Sequence, residues 1–272
     1  MITLLVQEGQ TCNQLLSLSA LLALGIENGC DVKCPVVDNQ LFKMFEFKNE
    51  TNIKVLFYHA KYTELLKILI KVIKRITHND FSKTFDVENM QKNQYFLNWL
   101  SYLDNDSYVH NVDSIRSFFK IKSEIYDLCK KKYDAINDDC TVIGVHLRRG
   151  DYKIYQNGIW YYDDNIYIKW MKSLKESYEG KIKFILCSNE KIDLKKYEMA
   201  GLDVANPGKS SIEDLTYLGL CDYVMGPPSS YSFWAAMYGN KRRCILDDRN
   251  KEYTWLDFKY FEERLSVGDY IR

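Results

Sequence analysis

Thr141-Val-Ile-Gly-Val-His-Leu-Arg-Arg-Gly-Asp-Tyr152 reads as a buried strand that runs straight into a charged turn. Its apolar part shows no polar alternation, the pattern of a strand covered on both faces, as in a parallel sheet. Two arginines follow at once. A guanidinium does not shed its charge, so a pair at the end of a buried strand is unfavourable unless anions or carboxylates meet it.

Two more apolar runs end the same way. Residues 183–187 lead into Ser188-Asn189-Glu190, and residues 223–225 into Gly226-Pro227-Pro228-Ser229-Ser230. Ligands of open parallel sheets bind beyond the carboxyl ends of the strands, so the three clusters are expected to line one crevice. Between them, Ser210-Ser-Ile-Glu213 is a capping box opening a helix through Leu218, and residues 231–238 read as a helix with Gly239 as its C-cap.

The amino-terminal part repeats the alternation. Residues 2–6 read as a strand, 8–11 as a polar turn, 13–27 as a helix ending near Gly29, 30–34 as extended and 53–58 as another strand. In that turn Gly9 lets the backbone approach a ligand, Asn13 and Gln14 offer amides, and Glu8 is the carboxylate best placed to deprotonate an attacking hydroxyl. The second and third glycines of a dinucleotide fingerprint are missing. A change of pattern divides the chain into halves at 1–138 and 139–272. Residues 77–139 are polar and aromatic, helix-like around 111–133, and carry no chemistry that the pattern reveals.

Composition bounds the partners. Lys plus Arg equals Asp plus Glu at 37 each, so no global field attracts nucleic acid and an anion site must be built locally. Twenty-one tyrosines exceed what a core needs and suit a sugar-lined cleft. The eight cysteines form no CxxC pair, and no signal-peptide pattern precedes the first strand, so a reduced cytoplasmic chain is expected. Residues 62–76 read as a helix with Lys67, Lys71, Lys74 and Arg75 on one side: a solvated face, or one resting on the anionic inner face of a membrane. Asp104-Asn105-Asp106 matches a short metal-binding DxD pattern but reads as a solvated turn, because no nucleotide-binding strand-turn-helix surrounds it.

The clusters point to a diphosphate. When a nucleotide sugar reacts, negative charge grows on the leaving phosphate, and fixed positive donors such as Arg148 and Arg149 lower the barrier as a metal would. Asp151 and His146 flank them and can orient an arginine, touch the nucleotide or handle a proton. Ser229, Ser230 and Ser232 stand at a helix start, where hydroxyls and free amides suit a second face of the diphosphate or simply cap the helix.

His146-Leu-Arg-Arg-Gly-Asp-Tyr152, Leu186-Cys-Ser-Asn-Glu190, Glu213-Asp-Leu-Thr-Tyr-Leu-Gly-Leu-Cys-Asp222 and Ser229-Ser-Tyr-Ser-Phe-Trp-Ala-Ala236 resemble, in order, the motif series of the α-1,2-fucosyltransferases of glycosyltransferase family 11. Gly9-Gln-Thr-Cys-Asn-Gln14 resembles that family's opening turn, with Cys12 where a second glycine is usual. Pro227-Pro228 also depart from its pattern. The resemblance implies an α/β fold of GT-B type, two Rossmann-like halves facing each other across a cleft, with the acceptor on the first and GDP-fucose on the second. It implies inverting transfer of fucose to a glycan hydroxyl, on a galactose-type residue, with no metal and no cofactor. Donor contacts are then expected from His146, Arg148, Arg149, Ser188, Asn189, Asp214, Ser229, Ser230 and Ser232, and catalytic roles from Arg148, Arg149, Asp151 and Glu8. Another linkage, another GDP-sugar, or a binding module without turnover remain alternatives at this point.

Overall fold

The first unit, Met1–Lys122, is built on a four-stranded parallel sheet. The computed structural model describes residues 1–5, 9–59, 65, 68, 69, 72, 75, 93–96 and 105–263. In chain order the unit holds β1 (Ile2–Leu4), α1 (Thr11–Glu27), β2 (Val32–Cys34), α2 (Asn39–Met44), β3 (Phe45–Phe47), β4 (Val55–Phe57), β5 (Gln94–Phe96), α3 (Asn105–His110), α4 (Val112–Phe118) and β6 (Phe119–Ile121). The sheet order is β4-β2-β1-β5. Helix α1 is buried almost all round, as its nearly unbroken apolar sequence requires. It lies close to β2 because Gly25 has no side chain: a Cβ there would sit 2.3 Å from a Val32 methyl.

The helix-like stretches expected around 111–133 are the helices Val112–Phe118 and Ser123–Ile136, with a strand between them that the pattern did not reveal. Phe119 and Ile121 are buried while Lys120 is exposed, a period of two, and β6 pairs antiparallel with β3. Of the helix expected over 62–76, residues 65, 68, 69, 72 and 75 are helical and the others lie outside the described residues. No helix among the described residues is long and apolar enough to cross a membrane. None of the eight cysteines is in a disulfide.

The second unit, Ser123–Arg272, holds α5 (Ser123–Ile136), β7 (Thr141–Leu147), α6 (Asp164–Glu176), β8 (Ile182–Ser188), α7 (Leu194–Met199), β9 (Val204–Ala205), α8 (Ser211–Leu220), β10 (Tyr223–Gly226), α9 (Ser230–Tyr238) and β11 (Arg242–Ile245). Helix α5 packs on α8, so it belongs here although it precedes residue 138. The sheet is parallel throughout, in the order β11-β10-β7-β8-β9. The chain winds outward from β7 through β8 to β9, then returns to β10 on the other side of β7. That reversal places the switch point between the carboxyl ends of β7 and β10, where a doubly wound sheet takes its ligand.

Alternation sorts the two faces of β7. Ile143, Val145 and Leu147 join Phe184, Leu186 and Met225 in a core with Tyr167, Trp170, Met171 and Leu174 of α6. Each large side chain so buried contributes about 1.5–3 kcal/mol. On the opposite face Gly144 admits Leu218 and Cys221, since a Cβ would lie 2.8 Å from the Leu218 side chain. Gly239 is the C-cap of α9, as expected; it keeps right-handed backbone, and Asn240 takes the positive φ. Its lack of a side chain serves packing instead, because a Cβ would stand 2.3 Å from the Gly219 carbonyl oxygen of α8.

Candidate active site

The ends of β7 and β10 are tied together. Tyr152 donates its hydroxyl proton to the Pro228 carbonyl at 2.6 Å, and a Cβ on Gly226 would meet that of His146 at 2.8 Å. The Arg148 turn and the Ser229 turn are therefore one assembly, as the strand-end clusters predicted.

Within it the two arginines have different surroundings. Arg149 is buried, donates to the Tyr162 carbonyl and to Asp164, and lies 5.6 Å from the ring centres of both Tyr161 and Tyr167. Burial opposes its charge, and Asp164 beside it more than restores it. Asp164 in turn accepts from Tyr197 at 2.8 Å and Lys196 at 3.1 Å. Arg148 donates to the exposed Asp151 at 2.9 Å and stands 4.9 Å from the Tyr152 ring centre. Its buried Nε has no partner among the described residues.

His146 and Asp214 join Arg148 on this side. His146 pairs in register with Cys187, whose thiol donates to the Asp214 carbonyl at 3.6 Å. Burial first, then Arg148 and Arg243, lower the His146 pKa to about 3, so the imidazole is neutral at physiological pH. Burial raises the Asp214 carboxyl to about 7, against the Ser188 backbone hydrogen bond that favours ionisation. His146 Nδ1 and Asp214 Oδ1, like Arg148 Nε, are buried without a hydrogen-bond partner among the described residues. Orphaned buried polar atoms are costly, and those of His146 and Arg148 at the end of β7, with that of Asp214 in the first turn of α8, suit a polar ligand.

The remaining expected residues brace this group. Asn189 accepts from the Arg149 amide at 3.0 Å, Glu190 from the Gly150 amide at 3.1 Å, and Ser188 donates to the Leu147 carbonyl at 2.8 Å. Ser229 caps α9 by accepting from the Tyr231 amide at 3.2 Å, and Ser230 is the first residue of that helix. Ser232 is fully buried, its hydroxyl 3.5 Å from the Pro227 carbonyl. In the first unit Gly9 has φ +87°, and the Gln14 amide donates to its carbonyl at 3.0 Å, while Asn13 stands in the first turn of α1. Glu8 and Asp104 lie outside the described residues.

Three functional positions were missed. Asp164 and Tyr152 carried no local signal. Arg243 did: a charged residue within an apolar strand. It is wholly buried, and its Nη2 donates to the Pro227 carbonyl at 3.1 Å and the Ser229 carbonyl at 3.5 Å, holding the turn.

Comparison with known proteins places the family and the fold. The sequence model of glycosyl transferase family 11 matches residues 38–254. No curated protein matches the chain in sequence. Among solved structures, the fucosyltransferase NodZ from Bradyrhizobium is similar with a TM-score of 0.61 and 15% identity, over 90% of this chain and 95% of that one. NodZ α-1,6-fucosyltransferase soaked with GDP-fucose gives 0.62 and 16%, over 92% and 97%. Arabidopsis thaliana FUT1 in complex with GDP gives 0.61 and 11%, over 90% and 70%. The likeness is one of fold: parallel α/β units of the GT-B type.

Proposed function

The chain belongs to glycosyl transferase family 11, and from that premise we propose that it transfers L-fucose from GDP-fucose to a sugar hydroxyl of a glycan. The observation that carries the reading is the trio of orphaned buried atoms on His146, Arg148 and Asp214. Arg148 offers a charged donor where a leaving phosphate gains charge. A carboxylate such as Asp214 matches the adjacent N1–H and N2–H donors of guanine, which adenine lacks, and neutral His146 adds a contact without charge. The similar structures obtained with GDP-fucose and with GDP agree with this choice of donor.

The reaction follows from these roles. The acceptor hydroxyl attacks the anomeric carbon from the face opposite GDP, the bond to the β-phosphate oxygen breaks with its electrons passing to the diphosphate, and configuration inverts. Arg148 stabilises the departing charge, Asp151 orients Arg148, and Arg149, Asn189, Ser188, Ser229, Ser230 and Ser232 hold the surrounding turns. Gly9, Asn13 and Gln14 belong to the acceptor side, with Glu8 as the proton acceptor. The linkage proposed from the motif series is α-1,2 to galactose, and no metal or cofactor takes part. Incubating the protein with GDP-fucose and a galactose-terminated glycan panel in EDTA, with linkage analysis of the product, tests this. Absence of transfer, or dependence on an added divalent cation, overturns it.

The Asp214 assignment makes GDP affinity depend on pH. With the free carboxyl titrating at about 7, guanine binding displaces its proton. Affinity is expected to fall as pH drops below 7, by up to about ten-fold per unit, and to level off above. Calorimetry between pH 5.5 and 8.5 measures this, and Asp214→Asn is expected to bind weakly with a flat profile. A flat profile in the parent refutes the base contact.

A membrane contact through residues 62–76 is also proposed. Leu65, Ile68, Leu69 and Val72 are helical at i, i+3, i+4 and i+7, and each is exposed. With the basic residues of that segment they suit an anionic lipid surface at the cytoplasmic face. Co-sedimentation with phosphatidylglycerol vesicles is expected and should be lost in Leu65→Ser/Leu69→Ser; equal recovery with neutral vesicles overturns it.

A further inference from the structure

Between β9 and α8 the chain passes through Asn206-Pro207-Gly208-Lys209 before Ser210 opens the helix. Both ends of this passage are pinned. Asn206 donates its side-chain amide to the Leu186 carbonyl of β8 at 2.6 Å, and Ser210 caps α8 by accepting from the Glu213 amide at 3.4 Å. The Asp214 amide then donates to the Ser210 carbonyl at 2.9 Å. Gly208 lies in the middle. Its φ is not positive, so freedom of backbone rotation does not account for a glycine at this position.

Space does account for it. A Cβ at Gly208 would lie 1.8 Å from Asp214 Oδ1 and 2.9 Å from its Cγ, while the nearest backbone atom would be 3.4 Å away. The carboxylate therefore occupies the volume that a side chain at 208 would take. The same oxygen is buried without a hydrogen-bond partner among the described residues. Around it the other walls are fixed: the Cys187 thiol holds the Asp214 carbonyl at 3.6 Å, and the Ser188 backbone holds the carboxyl. Gly208 is the remaining wall, and it is bare.

We infer that Gly208 is a positioning residue for base specificity: by leaving its side-chain volume to the Asp214 carboxylate, it aims both oxygens at the paired N1–H and N2–H donors of guanine. The inference rests on the donor reading, and its test separates the two. Guanine presents those donors side by side, so the carboxylate must lie in the plane of the base, and hydrogen bonds weaken steeply when tilted out of line. A methyl group added at 208 would meet the end of a rotatable side chain. The carboxylate then swings aside, and the fold stays. Inosine diphosphate keeps N1–H but lacks the 2-amino group, so it reports whether both donors are read.

Calorimetry on the full chain at about pH 8 measures GDP and inosine diphosphate affinities for the parent, Gly208→Ala, Asp214→Asn and the double variant. Thermal midpoints and the carboxyl-carbon NMR titration of Asp214 are recorded beside them. The parent is expected to favour GDP over inosine diphosphate by about ten-fold. Gly208→Ala is expected to bind GDP about ten-fold more weakly, to lose that preference and to melt with the parent. Its Asp214 titration should fall toward the ordinary carboxylate value of about 4. Both substitutions act on one carboxylate, so the double variant is expected to bind GDP no more weakly than Asp214→Asn. Gly208→Ala that keeps the GDP preference, losses that multiply in the double variant, or a midpoint that falls with the affinity overturns the inference. A parent indifferent to the 2-amino group, or one that binds neither nucleotide, sinks the donor reading instead, and the inference falls with it.

Discussion

Arg148→Ala is expected to lower the rate of fucose transfer by about 10²–10³-fold, the usual loss when one preorganised donor is withdrawn from developing charge. The fold should hardly notice. Its carboxylate partner Asp151 is more than half exposed, and such surface pairs contribute about 0–1 kcal/mol. Arg148→Lys keeps the charge but not the planar fork, so it recovers only part of the rate. Single-turnover kinetics beside thermal unfolding read both effects. A variant with parental turnover would remove Arg148 from the mechanism.

Arg149→Ala is expected to fail differently, by unfolding more easily. It would strip the Tyr162 carbonyl of its donor and leave Asp164 to Lys196 and Tyr197 alone. Breaking a largely buried pair costs about 3 kcal/mol, which for a unit of this size lowers the midpoint by roughly 6–12 °C. Asp164→Ala should lose a similar amount, and Arg149→Met combined with Asp164→Leu should recover much of it, because apolar pairs replace buried ions well. Burial works against ionised Asp164, but Tyr197, Lys196 and Arg149 outweigh it and hold its pKa below the ordinary value. The stabilisation is therefore present above about pH 4 and disappears as acid protonates the carboxylate. An Arg149→Ala protein that melts with the parent, yet transfers poorly, would return Arg149 to the diphosphate.

The strand ends that build the site were legible because burial leaves a plain signature. An apolar run closing abruptly in Arg148-Arg149 or Pro227-Pro228-Ser229 can only be the carboxyl end of an interior strand. The division of labour between the arginines was not legible. Two identical neighbours look alike in one dimension, whereas successive residues leave a strand on opposite faces. One meets α6, whose Asp164 lies fifteen positions along the chain, and the other meets the open switch point. The Phe119–Ile121 strand was hidden for another reason: three residues of alternation are too few to interrupt a helical pattern. Gly239 reads as a helix stop from sequence, and its place against Gly219 appears only when two helices are brought together.

That contact between Gly219 and Gly239 leaves α8 and α9 no room to slide. One helix carries Asp214 near its start and the other is capped by Ser229, so the two walls of the proposed nucleotide site are set like the jaws of a locked caliper. On the proposed reading, a chain that drifted toward a different base would have to unlock the jaw that also fixes the phosphate end, so donor identity and catalytic registration would be inherited together.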